Sequence, residues 1–411
     1  PQRVGRGADA NIVNGALADW VAAEQTSGRI TGTWGYYVMM TKMVTMAKLT
    51  GHDEDAAKFA QKVEEIKTAY NNAFLNTTLG YYTATGNAGT SGATQAAQAL
   101  ALDAGLVPNQ YRESVVKQLV DNTKAFGPAD GPHFSAGTIG LAAVVRQLTA
   151  SGNGDVLFDA LQTDTQPGYG YFLQPTAANP EGFTTIGERW TRGDSKNHMI
   201  LAQIVEWFQQ GLAGINRVPG SVGYDKLLFK PQPAGDLTWA EGSFETPRGL
   251  ASSRWEKADD RLTLTVQVPA NTTAEVWVPT GGDQAVLTPK RAKFERVEGE
   301  FAVYSVGAGR FTFVAADSSY ADLAVAIKAR AASGELKAEL ADNLLKFVEK
   351  ALAKSAAGEA QPADSALRSL INSISNANDK AASPAAREEL TALATQLQAV
   401  LREAAGIPVD R

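Results

Sequence analysis

The stretch "GFTTIGERWTRGDSKNHMILAQIVEWF", residues 182–208, decides how this chain is read. Its first half has the Gly, Thr and Asp content of a loop, and its second half is apolar on most sides, the pattern of a helix buried between others. Asp194 or Ser195 is placed to cap a helix that starts near Lys196, which predicts helix over 195–212. Glu188 then lies on a loop shortly before a helix N-terminus. The partial positive charge there, with Arg189 and Arg192 nearby, favours an ionised carboxylate able to act as a base. Trp190 offers a flat apolar face suited to the C–H side of a sugar ring. His198, on the first helical turn, can hydrogen-bond a hydroxyl or orient a carboxylate. The same residues equally suit an ion pair beside a packed ring, so spacing alone leaves both chemistry and packing open.

Working outward, the text from Trp34 to Leu212 reads as successive helices over 34–50, 53–77, 91–104, 109–123, 137–151, 153–165 and 195–212. "DEDAAKFAQKVEEIKTAYNNAF" spaces its apolar residues on one face, as an outer helix does, whereas "TIGLAAVVRQL" and "HMILAQIVEWF" are apolar on most sides. Amphipathic and buried helices in alternation predict two concentric layers. After Ile215 the period changes to two in "YDKLLFKPQ", "RLTLTVQVPA", "TAEVWVP" and "GRFTFVAA", which predicts a β-sandwich over 217–316. Residues 319–411 are rich in Ala, Leu, Glu and Lys with breaks at "SGE", "AGEAQPAD" and "NDKAASPAAR", as in a small bundle of about four helices serving as spacer or attachment. The expected fold is therefore multidomain α and β: a helical domain over 1–216, the sandwich, and the bundle.

Composition narrows the function classes. With 411 residues the chain exceeds one typical core, and 44% apolar against 20% charged residues marks a folded chain. A net charge of −6 with scattered lysines and arginines gives no basic face for nucleic acid. No cysteine is present, so disulfides, thiolate nucleophiles and sulfur-ligated metals are excluded. No run of about 18 apolar residues is found that would span a membrane. The chain opens on Pro1 without a signal-like segment, so a processed product or a fragment is expected. His52, His133 and His198 are scattered and no HExxH or calcium-loop spacing occurs, so no metal or other cofactor is expected. "GTSGATQ" is not GxSxG, and the glycines form neither a P-loop nor a dinucleotide fingerprint.

Two further candidates remain. Asp19 and Trp20 in "NIVNGALADWVAAEQ" form an acid–aromatic pair able to grip a hydroxylated ligand; alternatively Asp19 is a helix cap and Trp20 a core ring. His133 in "GPADGPHFSAGTIGLAAVV" precedes a buried helix much as Glu188 does, so the two can line one pocket if loops entering inner helices share a face.

These residues carry a resemblance. "TTIGERWTRGDSKNHMILAQIVEWFQQGLAGI" is similar to the T-T-x-x-E-x-W loop, N-H pair and E-W-F…L-A-G-I helix of bacterial α-L-rhamnosidases of glycoside hydrolase family 78. "ALADW", "GATQAAQALALDAGLVP", "HFSAGTIG", "LLFKPQPAGDLTWAEGSFETPRG" and "VPANTTAEVWVP" resemble further family segments in the same order, over residues 1–316. The resemblance implies part of an (α/α)6 toroid followed by a β-sandwich, and inverting hydrolysis of terminal α-L-rhamnosyl groups from glycosides or polysaccharides. By motif, Glu188 matches the general base, His198 a pocket histidine, and Asp19, Trp20 and Trp190 positions near the sugar. The family's general acid lies on a segment well before the "DW" motif that has no counterpart here, and seven helices fall short of the twelve in six hairpins. An upstream segment or an N-terminal companion chain is thus expected to complete the toroid. Gly187 stands where the family usually has a bulkier, often aromatic residue, and Lys196 where it often has Trp or Leu. The tail is similar to helical tails of secreted actinobacterial enzymes, which implies an extracellular or cell-surface location. The missing acid also leaves a non-catalytic carbohydrate-binding protein as the alternative.

Overall fold

A computed structural model describes residues 3–5, 7–14, 17–175, 180–191, 195–258, 261–281, 285–287, 289, 291–316, 320–357, 359–404 and 407. Arg192 and Asp194 lie outside the described residues. The chain divides into two compact units, residues 1–212 with 232–237, and residues 213–231 with 238–411.

The first unit is built from helical hairpins. A short antiparallel pair, β1 (Arg3–Val4) with β2 (Val13–Asn14), precedes α1 (Gly28–Leu49) and α2 (Asp53–Phe74). Ser27 Oγ accepts from Arg29 N at 3.3 Å to open α1, and Asp53, Glu54 and Asp55 place negative charge at the N-terminus of α2, where the helix dipole favours it. A second short pair, β3 (Leu75–Asn76) with β4 (Tyr81–Tyr82), leads to α3 (Gln95–Asp103), α4 (Arg112–Ala125), α5 (Leu141–Ala150), α6 (Gly154–Gln162) and α7 (Tyr169–Leu173). A helical run over 201–212 contains α8 (Val205–Trp207) and ends in a π turn.

Burial sorts these helices into two layers. Residues 95–102 of α3 are all buried, and α5 buries Leu141, Val144, Val145 and Leu148. By contrast α4 buries only Val115, Leu119 and Thr123, a single stripe. α1 packs on α3, α3 on α5, and α5 on the 201–207 turn, forming an inner row; α2, α4 and α6 back it from outside.

One expected helix is shorter than its apolar pattern. Residues 195–200 form bends and a turn, and helix begins only at Leu201. The backbone groups a helix would use are already engaged: Ser195 O accepts from Glu188 N at 2.9 Å, Lys196 O from the Thr185 hydroxyl, and His198 N donates to Ile186 O at 3.1 Å. Ser195 is thus not a helix cap, and His198 stands before the helix rather than on its first turn. The expected helix over 137–151 likewise starts at Leu141.

In the second unit, strands alternate inward apolar and outward polar residues, as in "RLTLTVQV" over 261–268, where Leu262, Leu264, Val266 and Val268 are buried. One sheet orders as β12 (Lys293–Glu298), β13 (Phe301–Val306), β10 (Thr273–Pro279), β6 (Lys226–Phe229) and β5 (Ile215–Arg217). The other orders as β11 (Ala285–Leu287), β14 (Gly309–Ala316), β9 (Arg261–Val268), β8 (Gly249–Ala258) and β7 (Trp239–Thr246). Tyr304 on β13 and Phe313 on β14 meet across the sandwich at 5.0 Å. β5 straddles the expected boundary at 216.

Among the described residues four helices follow the sandwich: α9 (Tyr320–Ala332), α10 (Ala338–Ala356), α11 (Ala360–Ser375) and α12 (Pro384–Ala404). Ile327, Leu344, Leu367 and Leu390 lie in their common core. Inside it the buried Asp364 pairs with Arg402 and, at 3.3 Å, with Arg368. Burial alone would raise the Asp364 carboxyl, but Arg402 and then Arg368 hold it below its ordinary range. Asp364→Ala is expected to cost the bundle about 3–5 kcal/mol, because it breaks a buried pair from one side. Urea unfolding monitored by helical circular dichroism checks this, and a loss near zero contradicts it. Since the carboxyl is depressed, its contribution is full above its unfolded value of 3.8 and is lost as pH falls through the lower folded value.

Candidate functional site

The site starts from a strained turn. Ala18 and Val21 both hold φ near +56°, a region unfavourable for side-chain-bearing residues and worst for a β-branched one. The two residues between them point opposite ways: Asp19 is 0% exposed and Trp20 48%. Asp19 Oδ2 accepts from Gly137 N at 2.8 Å, and its Oδ1 from Ile139 N at 2.8 Å and Gly140 N at 3.0 Å. These are the donors just ahead of α5, N–H groups that a helix start leaves without an intrahelical partner, and Leu141 N bonds Gly137 O at 3.0 Å where the helix opens. The contact is reciprocal, since Thr138 N donates to Trp20 O at 2.9 Å. Both glycines are needed for the approach. A Cβ on Gly137 would stand 2.1 Å from Trp20 O, and one on Gly140 would stand 2.4 Å from Ala96 Cβ. Burial pushes the Asp19 carboxyl up, against the pull of the three amides.

The second component is the pair of segments 183–191 and 195–198, held together by the Glu188–Ser195 and Ile186–His198 backbone bonds. Gly187 sits at this crossing, where a Cβ would lie 3.2 Å from Ser195 O; a bulkier residue would press the two strands of the loop apart. The loop brings Glu188 to the exposed turn. Trp20 Nε1 donates to Glu188 Oε1 at 3.2 Å, a contact between residues 168 positions apart. The Arg189 guanidinium stands 5.7 Å from the centre of the Trp20 ring. The indole hydrogen bond, with His198 charge and Ser195 hydrogen bonds adding to it, holds the Glu188 carboxyl below its ordinary range. His198 Nδ1 accepts from Ile200 N at 3.3 Å, so a neutral His198 ring carries its proton on Nε2 as a donor. The arrangement joins an ionised acceptor, an imidazole donor and a partly exposed indole, a set suited to a polyhydroxylated ligand.

Two expected site residues fall elsewhere. Trp190 is 2% exposed; its ring stacks near Phe134 (6.1 Å) and Phe172 (6.2 Å), meets Tyr169 edge-on at 5.2 Å, and its Nε1 donates to Ala136 O at 3.1 Å. It is a core ring that anchors the Glu188 loop, not an open platform for a sugar. His133 is fully buried as well. Its Nδ1 donates to Gly131 O at 2.8 Å and its Nε2 bonds Thr165 Oγ1 at 2.8 Å, while Gln95 ties down its carbonyl at 2.8 Å. The His133 ring thus braces the loop that leads to α5 and has no contact with Glu188. Asp19 is also withdrawn from any ligand, whereas Trp20, its partner in the pair, is the exposed member.

The sequence carried no signal for the roles of Arg189 over Trp20, or of Gly137 and Gly140 as the seat of Asp19. Each depends on contacts between segments more than a hundred residues apart or on backbone approach.

The model for the bacterial alpha-L-rhamnosidase six-hairpin glycosidase domain matches residues 2–212, and that for the bacterial alpha-L-rhamnosidase C-terminal domain matches 214–293. An alpha-L-rhamnosidase of Streptomyces avermitilis is 32% identical over 271 residues, which is 63% of this chain and 24% of that protein. One from Formosa agariphila is 28% identical over 290 residues, 66% of this chain and 29% of that protein. Among solved structures, the alpha-L-rhamnosidase from Dictyoglumus thermophilum aligns with a TM-score of 0.65 at 26% identity, covering 75% of this chain and 35% of that one. The Streptomyces avermitilis enzyme complexed with L-rhamnose aligns at 0.61 and 28%, covering 75% and 28%. The chain thus spans 24% and 29% of the length of these two curated relatives.

The geometry predicts that Trp20→Phe, which keeps a ring but removes the N–H donor, raises the Glu188 titration midpoint towards its ordinary value. Gly137→Ala, which forces the turn away from α5, is expected to do the same. Carbon NMR of labelled glutamate measures both, and an unmoved midpoint in Trp20→Phe contradicts the assignment.

Proposed function

Because this chain belongs to the bacterial alpha-L-rhamnosidase six-hairpin glycosidase family, we propose that it carries the general-base half of a glycoside hydrolase acting on terminal non-reducing α-L-rhamnosyl groups of glycosides or polysaccharides. The observation that carries this reading is the Trp20 indole N–H bonded to Glu188 Oε1 at 3.2 Å, a contact that favours the ionised form of the carboxyl. In an inverting reaction Glu188 takes a proton from a water molecule, whose oxygen forms the new bond to the anomeric carbon. The bond from that carbon to the leaving oxygen breaks, and a general acid protonates that oxygen. Trp20 and His198 suit the flanks of the sugar, one by its ring and the other by its Nε2 donor.

The acid is proposed to come from a segment outside residues 1–411 or from a companion chain. One observation supports this: no segment before Asp19 resembles the family's acid-bearing one. An inverting pair stands about 6.5–9.5 Å apart, so the acid-bearing element has to reach the Trp20 side of Glu188. An extracellular or cell-surface location accompanies this reading, on the likeness of the helical tail.

In the assembled protein, Glu188→Gln is expected to lower turnover of an aryl α-L-rhamnoside by about 10²–10⁴-fold. The first sugar released by the parent should be the inverted anomer in proton NMR. Activity should fall as pH drops through the depressed Glu188 value, because a protonated base accepts no proton. Full activity in Glu188→Gln removes Glu188 from the role; rhamnose binding without turnover by the parent selects the non-catalytic carbohydrate-binding alternative.

A further inference from the structure

One sheet of the sandwich turns an ordered polar face to water. On β8 the residues Ala251, Ser253 and Trp255 are buried, and on β9 so are Leu262, Leu264 and Val266, so the residues between them point outward. Strand register sets these outward residues in straight rows across β7, β8, β9 and β14. Trp239, Glu256, Thr263 and Val314 form one row, and Glu241, Arg254, Thr265 and Thr312 form the next. In the second row Arg254 Nη1 donates to Glu241 Oε2 at 2.9 Å, and the Thr265 and Thr312 hydroxyls stand 3.0 Å apart.

Two features interrupt the even polarity of this face. Trp239 begins the first row 55% exposed, although an indole has a large apolar area to hide. It is held in place: the Arg254 guanidinium stands 5.0 Å from its ring centre and is itself gripped by Glu241 and Glu256. At the far end of the same row Val314 and α12 border a cleft of about 320 Å³, lined by Arg261, Val314, Glu388, Leu393 and Gln396. The row thus leads from a fixed indole, over Glu256 and Thr263, into a cleft at the lower end of the volumes that hold a small ligand.

We infer that this row is a second binding site, made by residues of the second unit alone, for an extended neutral polysaccharide chain: one sugar ring rests on Trp239 and the chain crosses the strands into the α12 cleft. Three observations choose this occupant. Neighbouring strands stand about 4.8 Å apart, close to the length of one pyranose unit, so a chain lying along the row meets one side chain per sugar. Within the two rows the single arginine is taken up by two glutamates, which leaves no cation there to collect nucleic acid or an anionic glycan. One indole among hydroxyls and carboxylates is too small an apolar area for a protein partner. It matches the C–H face of a single sugar, whose hydroxyls then meet Glu256, Thr263 and Thr265. The site does not depend on the hydrolytic reading of Glu188.

Affinity gel electrophoresis of the chain 1–411 tests this without any hydrolytic step. Hydroxyethylcellulose and soluble xylan, whose β-1,4 chains are extended, are cast into native gels, with dextran, whose α-1,6 chain is not, as the comparison. At least one of the β-1,4 chains should retard the parent, and dextran should not. Trp239→Ala should weaken the binding by about 10-fold or more, the loss expected of a central aromatic anchor, whereas Trp239→Tyr keeps a ring and most of the binding. Thr263→Arg, which obstructs the row beyond the indole, should weaken it as well; it decides alone if Trp239→Ala alters the circular dichroism. A parent that no polymer retards, or equal retardation of the parent and the folded variants Trp239→Ala and Thr263→Arg, overturns the site. Equal retardation by dextran overturns the extended chain as its occupant. Retardation that depends on Trp239 in an assembled protein that hydrolyses no aryl α-L-rhamnoside keeps this site and removes the proposed activity.

Discussion

One buried carboxylate organises the candidate site: Asp19, with three backbone N–H groups from 137–140 aimed at its two oxygens. Its burial is costly for a charge, and only multiple donors at the mouth of a helix offset that cost. Because those donors belong to the segment entering α5, the bond fixes the 18–21 turn to the inner row of helices. The strain at Ala18 and Val21 persists because this anchor over-determines it. Its product is the outward Trp20 indole, held where its N–H meets Glu188.

Glu188 is held from the other side by packing. Trp190, two residues on, is locked among Phe134, Tyr169 and Phe172, and the backbone bonds of Glu188 and His198 close the loop. Two segments 168 residues apart thus meet through one hydrogen bond, each stiffened by its own buried residue. Such support from two buried residues restricts where the Glu188 carboxyl can stand. The bias on Glu188 is towards ionisation, the state required of a base and the wrong one for an acid. Under the proposed reading, a single ionised carboxylate supplies one half of an inverting pair.

Much of the fold is legible in the sequence because its periods are strong. Ala56, Ile66, Tyr70 and Phe74 mark one face of α2, and the period-two run over 261–268 marks a strand; both follow from which residues leave water. The helix over 195–212 is misread at its start because apolar content extends over Met199 and Ile200, while the backbone of Ser195, Lys196 and His198 is engaged across the loop. Glu188 and His198 stand out by composition and lie together. Trp190 and His133 stand out equally and do not join them, since a ring beside a glutamate in sequence says nothing of which way it packs. The sequence offers Asp19 and Trp20 either as a joint grip on a ligand or as a cap beside a core ring, and the two positive-φ residues around them separate the pair, with Asp19 buried and Trp20 exposed. No sequence pattern carries a non-glycine left-handed backbone.

The central claim is that Asp19 acts on Glu188 through Trp20. Titration of the Glu188 carboxyl carbon in Asp19→Asn, in a protein whose circular dichroism shows the helices intact, tests it most directly. The account predicts a midpoint raised towards the ordinary glutamate value, with the indole N–H resonance losing its dependence on that titration. A midpoint and indole response identical to those of the parent chain would contradict it.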